Sequence, residues 1–271
     1  MDPQMAPYAT RAFNLLKEYK RVIVALSGGV DSASLAALAV EALGPENVLA
    51  VTTSSAAVPL AERQTAAGVA AHLGVEHREV ETQELKNPDY RANAGDRCYH
   101  CRVEMFACLG GIARSGGYDA VVYGAIADDL EDDRPGMLAA DELGVRAPLL
   151  EAGWTKEDVR AFAADRGLPV SAKPAAACLG SRIPVGTPVT EARLARVERA
   201  ESALARLGFH QFRVRYHGDI ARLELDPEGD RRLRDPVLRR QVVEAVRGAG
   251  FRFVALDLEG YRGGSLSVVE T

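Results

Sequence analysis

At 271 residues, 47% hydrophobic and 26% charged, the chain has a globular composition with room for one large domain or two modest ones. A net charge of −5 argues against broad, nonspecific nucleic-acid binding, and no apolar run reaches membrane-spanning length. With no signal-peptide core at its start, a cytoplasmic location is expected, so Cys98, Cys101, Cys108 and Cys178 are thiols, metal ligands or catalytic groups rather than disulfides.

Apolar positions at helical spacing predict an opening helix over residues 5–19. Val22–Leu26 follows as a first strand, then Ser27-Gly28-Gly29-Val30-Asp31-Ser32, then a helical run from Ala33 to Leu43. Val48–Thr53 predicts a second strand that ends beside Ser54, and Pro59 to Gly74 a helix with proline near its start. Glu76–Glu81, Asp119–Gly124 and Arg146–Leu150 predict strands three to five, with helices between them. This alternation predicts a parallel sheet covered on both faces. Ligands of such sheets sit at the carboxyl ends of the strands, where Ser27–Ser32, Ser54 and Gly124–Asp129 fall.

After Leu150 the texture changes. A helix over Trp154–Arg166 is capped by Thr155 and ended by Gly167 and Pro169. Residues 173–182 are too irregular for helix or strand and read as a hinge and active-site loop. The boundary falls near 170–188, giving domains of 1–175 and 176–271. Residues 190–207 predict an amphipathic helix with Thr190 as N-cap. Gln211–Tyr216 and Ile220–Asp226 predict a hairpin around His217-Gly218-Asp219. A helix over Pro236–Gly248 and a strand over Arg252–Leu256 complete a small α+β domain, followed by a glycine-rich tail suited to packing on another surface or subunit.

Several constellations carry chemistry. In Ser27–Ser32 two glycines let the backbone turn sharply before a helix N-terminus, which favours an anion such as a phosphate. Ser27 and Ser32 add hydroxyl donors, and Asp31 can hold a cation accompanying the phosphates. An ordinary strand–helix turn capped by Asp31 or Ser32 would look similar, but the whole hexapeptide directly after the first strand favours the phosphate reading. Cys98-Tyr99-His100-Cys101 opens a helix, with both sulfurs on one face of its first turn and Arg97 and Arg102 adjacent. Such a pair is redox-active, half of a zinc site, or part of a cluster. Cys108, among Met105, Phe106, Leu109 and Ile112, reads as a buried core cysteine. Cys178 stands among small residues with Ser181-Arg182 close behind, and reads as functional. A zinc site would still need a histidine, and His100 inside the motif points elsewhere. A cubane iron–sulfur cluster on three thiolates leaves one iron open. On the hairpin, Arg213, Arg215 and His217 alternate with apolar residues, as do Arg222, Glu224 and Asp226. From pattern alone this is a wet face, while an arginine pair there could grip a phosphate and Glu224 help hold a divalent cation. Asp128, Asp129 and Arg134 lie in a charged loop after strand four, within reach of a nucleotide or magnesium at the ligand edge.

The hexapeptide resembles the PP-loop of the ATP pyrophosphatases, which implies an adenine nucleotide alpha hydrolase-like, Rossmann-like fold and cleavage of ATP to AMP and pyrophosphate. With Asp133-Arg134-Pro135-Gly136, Ala177-Cys178-Leu179-Gly180-Ser181-Arg182-Ile183-Pro184, Phe212-Arg213-Val214-Arg215 and Asp257-Leu258-Glu259-Gly260-Tyr261-Arg262, nearly the whole chain resembles the LarE family. These are ATP-dependent sulfur transferases of nickel-pincer cofactor synthesis. The resemblance implies adenylation of the carboxylates of pyridinium-3,5-biscarboxylic acid mononucleotide with ATP and Mg2+, then sulfur transfer. In one type of the family the cysteine matching Cys178 gives up its own sulfur. Cys98 and Cys101 resemble the other type, in which three cysteines hold a 4Fe–4S cluster. The resemblance further implies nucleotide contacts from Ser27, Gly28, Gly29, Val30, Asp31, Ser32, Ser54, Gly124, Asp128 and Arg134. It assigns substrate contacts to Ser181 and Arg182, the substrate phosphate to Arg213 and Arg215, metal or substrate to Glu201 and Glu224, and assembly as a homo-oligomer. Alternatives from the same superfamily are a tRNA thiolase, which would need a basic surface, and an ammonia-using synthetase, which needs no convergent cysteines.

Overall fold

The computed structural model describes residues 7–130, 135–174 and 176–262. In chain order the elements begin α1 (Pro7–Lys17), β1 (Val22–Ala25), α2 (Val30–Leu43), β2 (Val48–Ser54), α3 (Leu60–Leu73) and β3 (Glu76–Glu81). Next come α4 (Pro88–Ala92), α5 (Arg97–Gly116), β4 (Ala120–Tyr123), α6 (Pro135–Glu142), α7 (Pro148–Glu151) and α8 (Lys156–Asp165). The chain continues through α9 (Glu191–Arg206), β5 (Phe212–His217), β6 (Ile220–Leu225), α10 (Pro227–Arg232), α11 (Pro236–Gly248) and β7 (Phe253–Leu256). It divides into two compact units. One is Met1–Glu84 with Cys98–Ala176; the other is Leu85–Arg97 with Ala177–Thr271.

The first unit is an α/β domain of the Rossmann-like kind. Its four strands are all parallel, in the order β3-β2-β1-β4. The near-continuous apolar run of β1 suits a strand covered on both faces. Val22 and Val24 join Leu16, Leu35, Leu38, Trp154 and Phe162 in one core cluster, whereas Ile23 joins Leu49, Phe106, Leu109 and Val121 in another. The strand order reverses between β1 and β4, so the crevice outside their carboxyl ends is where such a sheet takes its ligand. The fifth strand expected over Arg146–Leu150 does not form. Arg146 makes a single parallel bridge with Val122, and Pro148 then opens α7. Proline lacks the N–H that a ladder needs, and its fixed φ suits a first helical turn.

The second unit carries the sheet β5-β6-β7. Strands β5 and β6 are antiparallel around Gly218-Asp219, where Gly218 takes φ +64°, and β7 returns parallel to β6. Helix α9 is capped by Thr190, whose side chain accepts from the Arg193 N–H. The polar face of the hairpin, which pattern alone reads as wet, is buried at its centre: Arg215 is 4% exposed and Glu224 0%. The turn Leu179–Arg182 packs against β5, and Arg215 donates to the Ser181 carbonyl. Among the described residues no helix is long and apolar enough to cross a membrane.

Candidate active site

In the first unit the Ser27–Ser32 turn joins β1 to α2 at the point of strand reversal. Gly28 takes φ +80°, and a Cβ there would lie 2.6 Å from the Glu62 carbonyl oxygen, so only glycine fits. Gly124, just after β4, is as constrained: a Cβ would meet the Ser32 nitrogen at 2.7 Å. The two loops are thus in backbone contact. The hydroxyls of Ser27 and Ser32 lie 3.0 Å apart, and Ser32 Oγ accepts from the Ser27 N–H at 3.1 Å. Gly29 is the N-cap of α2 and offers no side chain to its first N–H groups, which leaves those donors facing the crevice. Ser54 closes β2 at the same edge, half-buried. Arg134 lies outside the described residues.

Two lysines complete this turn, and the motif reading missed both. Lys156 Nζ lies 2.8 and 2.7 Å from the two Asp31 carboxylate oxygens, while Asp128 accepts from the Lys156 N–H at 3.2 Å. Lys156 is the first residue of α8, where the helix dipole disfavours a cation. That misplacement is the sequence signal for a carboxylate partner. Lys173 Nζ donates to the Gly28 carbonyl at 3.0 Å and to Glu62 at 2.7 Å. Below the turn, Thr52 donates to the Leu26 carbonyl at 2.7 Å, and its oxygen lies 2.9 Å from His77 Nε2. Burial pushes the His77 pKa down.

Helix α5 presents Cys98 exposed and Cys101 half-buried, neither in a disulfide. The adjacent arginines point elsewhere. Arg102 lies 5.4 Å from the Tyr123 ring centre and 5.6 Å from that of Phe106. Arg97 donates to the Asn93 side chain at 3.0 Å and the Gly180 carbonyl at 2.6 Å. Tyr99 donates to Glu142, which raises its pKa. Cys108, read as core, is only half-buried, although desolvation still raises its pKa.

In the second unit Cys178 precedes the short turn Leu179–Arg182, its thiol free and half-buried. Its carbonyl accepts from Ser181 Oγ at 2.8 Å and Arg182 Nη1 at 2.9 Å. Arg182, 3% exposed, forks onto Glu201 at 2.9 and 3.1 Å, and Glu201 also accepts from the Val214 N–H at 3.0 Å. Arg215 bridges the Ser181 carbonyl at 2.9 Å and Glu224 at 2.8 Å. Arg222 joins Glu224 to Asp257 at 3.2 and 2.8 Å. Glu201 and Glu224 are therefore held by guanidinium groups, and a divalent cation there would have to compete with them. Arg213 is half-buried, 5.0 Å from the Tyr261 ring centre, and donates to the Phe212 carbonyl. Burial, then the Arg182 charge, push its pKa down, so an approaching anion would be favoured there. From the other side Asn93, in the left-handed region at φ 55°, donates to the carbonyls of Pro184 at 2.8 Å and Thr187 at 3.0 Å. Among the described residues no three His, Cys, Asp or Glu side chains are gathered as a metal-ion site.

A parallel sheet carrying a serine–glycine turn at its reversal point defines an α/β enzyme of the PP-loop superfamily. The family described as NAD synthase matches residues 14–94, the span that holds this turn. An argininosuccinate synthase of Natronomonas pharaonis is 29% identical over 165 residues, 57% of this chain and 41% of the relative. Other relatives run nearly end to end, among them the following two. The uncharacterized protein slr1717 of Synechocystis sp. is 42% identical over 254 residues, 94% of each chain. The pyridinium-3,5-bisthiocarboxylic acid mononucleotide synthase of Lactiplantibacillus plantarum is 39% identical over 267 residues, 97% of this chain and 96% of the relative. The chain belongs to the LarE family of ATP-dependent sulfur transferases, that of the Lactiplantibacillus synthase.

Proposed function

We propose that this enzyme converts carboxylates of pyridinium-3,5-biscarboxylic acid mononucleotide to thiocarboxylates in nickel-pincer cofactor biosynthesis, by way of an acyl adenylate. The observation that carries the reading is the likeness to the Lactiplantibacillus synthase over 97% of the chain, which spans both units. A carboxylate is a poor electrophile, and AMP supplies the leaving group. The Ser27–Ser32 turn, Ser54, Gly124, Asp128 and Arg134 would hold ATP, with Asp31 facing Mg2+ once it exchanges Lys156. The donors of the turn would stabilise departing pyrophosphate. Arg213 would take the phosphate of the substrate. Arg215 and Arg182, already committed to Glu224 and Glu201, would fix the Cys178 loop against it, with Ser181 beside the reacting carboxyl group.

For the sulfur source we assign Cys98, Cys101 and Cys178 to a 4Fe–4S cluster. The donor set suits it: three cysteines outside any disulfide, all at least partly exposed, and soft ligands for iron. A cluster on three thiolates keeps one iron open for sulfide. The test is anaerobic iron and acid-labile sulfide content of the wild type and of Cys98→Ala, Cys101→Ala and Cys178→Ala. Loss of the cluster in each single variant is expected. A reconstituted wild type without iron, with Cys178 one sulfur lighter after turnover, would replace this source with the sacrificial one.

A further inference from the structure

We propose that Lys173 is a positioning residue of the nucleotide site, one that fixes the peptide between Gly28 and Gly29 so that its N–H faces the incoming phosphate. The inference rests on the reading of the Ser27–Ser32 turn as the ATP site. In a planar trans peptide the C=O and the following N–H point in opposite directions. Lys173 Nζ holds the Gly28 carbonyl at 3.0 Å. The Gly29 N–H is thereby turned the other way, toward Ser27 Oγ at 3.4 Å, on the side of the paired Ser27 and Ser32 hydroxyls. That long, weak bond is readily exchanged for one to a phosphate oxygen.

A peptide flanked by two glycines rotates easily, because neither residue carries a Cβ to oppose it. Something outside the turn must select one orientation, and Lys173 is placed to do so. Its ammonium is fixed in turn by Glu62 at 2.7 Å, with both side chains mostly buried. The main chain of Glu62 is the wall that excludes a Cβ at Gly28. The ion pair therefore sets the orientation of the glycine peptide, while the Glu62 main chain bounds its position. Lys173 acts through the carbonyl it holds, and the phosphate meets the N–H at the other end of that peptide.

The test is calorimetric titration of the full chain with ATP and with inorganic pyrophosphate, for the wild type, Lys173→Met, Lys173→Arg and Glu62→Gln. Lys173→Met should bind both at least tenfold more weakly. Lys173→Arg, which keeps a charged donor, should recover most of the loss, and Glu62→Gln, which keeps an acceptor, should lie between. In protein labelled with 15N-glycine, the Gly29 amide should shift on pyrophosphate addition in the wild type and not in Lys173→Met. Wild-type affinity in a folded Lys173→Met would overturn the inference. A wild type that binds neither ligand would overturn the nucleotide-site reading beneath it.

Discussion

The two units build their sites by opposite means. The Ser27–Ser32 turn of the first unit, the proposed nucleotide site, is made from main chain: six consecutive residues, two glycines and a helix start, with a second glycine loop pressed against it at Gly124. The Cys178 loop of the second unit is made from side chains. Arg182, Arg215 and Asn93, from three separate segments, hold its carbonyls, and Glu201 and Glu224 hold the arginines. A backbone site tolerates little change of shape. A site braced by buried ion pairs depends on every partner remaining in place.

That contrast can be broken most forcefully at Glu201. Removing one partner of a buried pair leaves an uncompensated charge, a loss of about 3–5 kcal/mol. Glu201→Ala should therefore destabilise the protein by that amount in urea unfolding, because Arg182 and the Val214 N–H both lose their acceptor. Stability within 1 kcal/mol of wild type, roughly the worth of a surface pair, would show that the brace is dispensable. The backbone site breaks at Gly28. For Gly28→Ala the left-handed conformation alone costs roughly 1–2 kcal/mol, before the clash with the Glu62 carbonyl. Its ATP affinity should fall at least tenfold, read by calorimetry, while Cys178 alkylation stays unchanged.

A finer comparison lies within the arginine network. Arg215 is buried, whereas the Arg222 side chain is about a quarter exposed at 27%. Arg222→Ala should cost less than half of what Arg215→Ala costs in the same unfolding experiment, since solvent screens the more exposed charge. Equal losses would mean that Glu224 depends on both guanidinium groups alike. The smallest effect is expected at His77, whose pKa burial holds below the ordinary 6.5. The unfolded chain then binds the proton more readily, so this contribution is complete above pH 6.5 and is lost as the pH falls through the folded value. His77→Gln should flatten the acid side of the stability curve, and an unchanged curve would remove His77 from it.

The same contrast explains what could be read from the amino-acid order. The nucleotide turn is contiguous, so strand, glycines and helix start are all visible in one window, and β1, α2 and β2 follow from their apolar patterns. The hairpin of the second unit was equally legible, because Gly218 marks its turn and alternation marks its strands. The brace was not. Whether Arg215 faces water or Glu224 depends on what packs over the sheet, and period-two alternation is the same in both cases. Asn93 and Arg97 lie about 90 residues before the carbonyls they hold, by the separations of 91 to Pro184 and 83 to Gly180. Arg146–Leu150 reads as a strand for a local reason, since apolar residues after an arginine suit a strand, but Pro148 imposes a helical turn.

The most direct test of the account is incubation of the anaerobically prepared protein with ATP, Mg2+ and pyridinium-3,5-biscarboxylic acid mononucleotide, with sulfide supplied. AMP, pyrophosphate and the mass of the pyridinium product are then measured. The account predicts AMP and pyrophosphate only when the pyridinium substrate is present, and a product in which sulfur has replaced a carboxylate oxygen. Substrate-independent ATP cleavage, or AMP formed with no sulfur in the product, would contradict it.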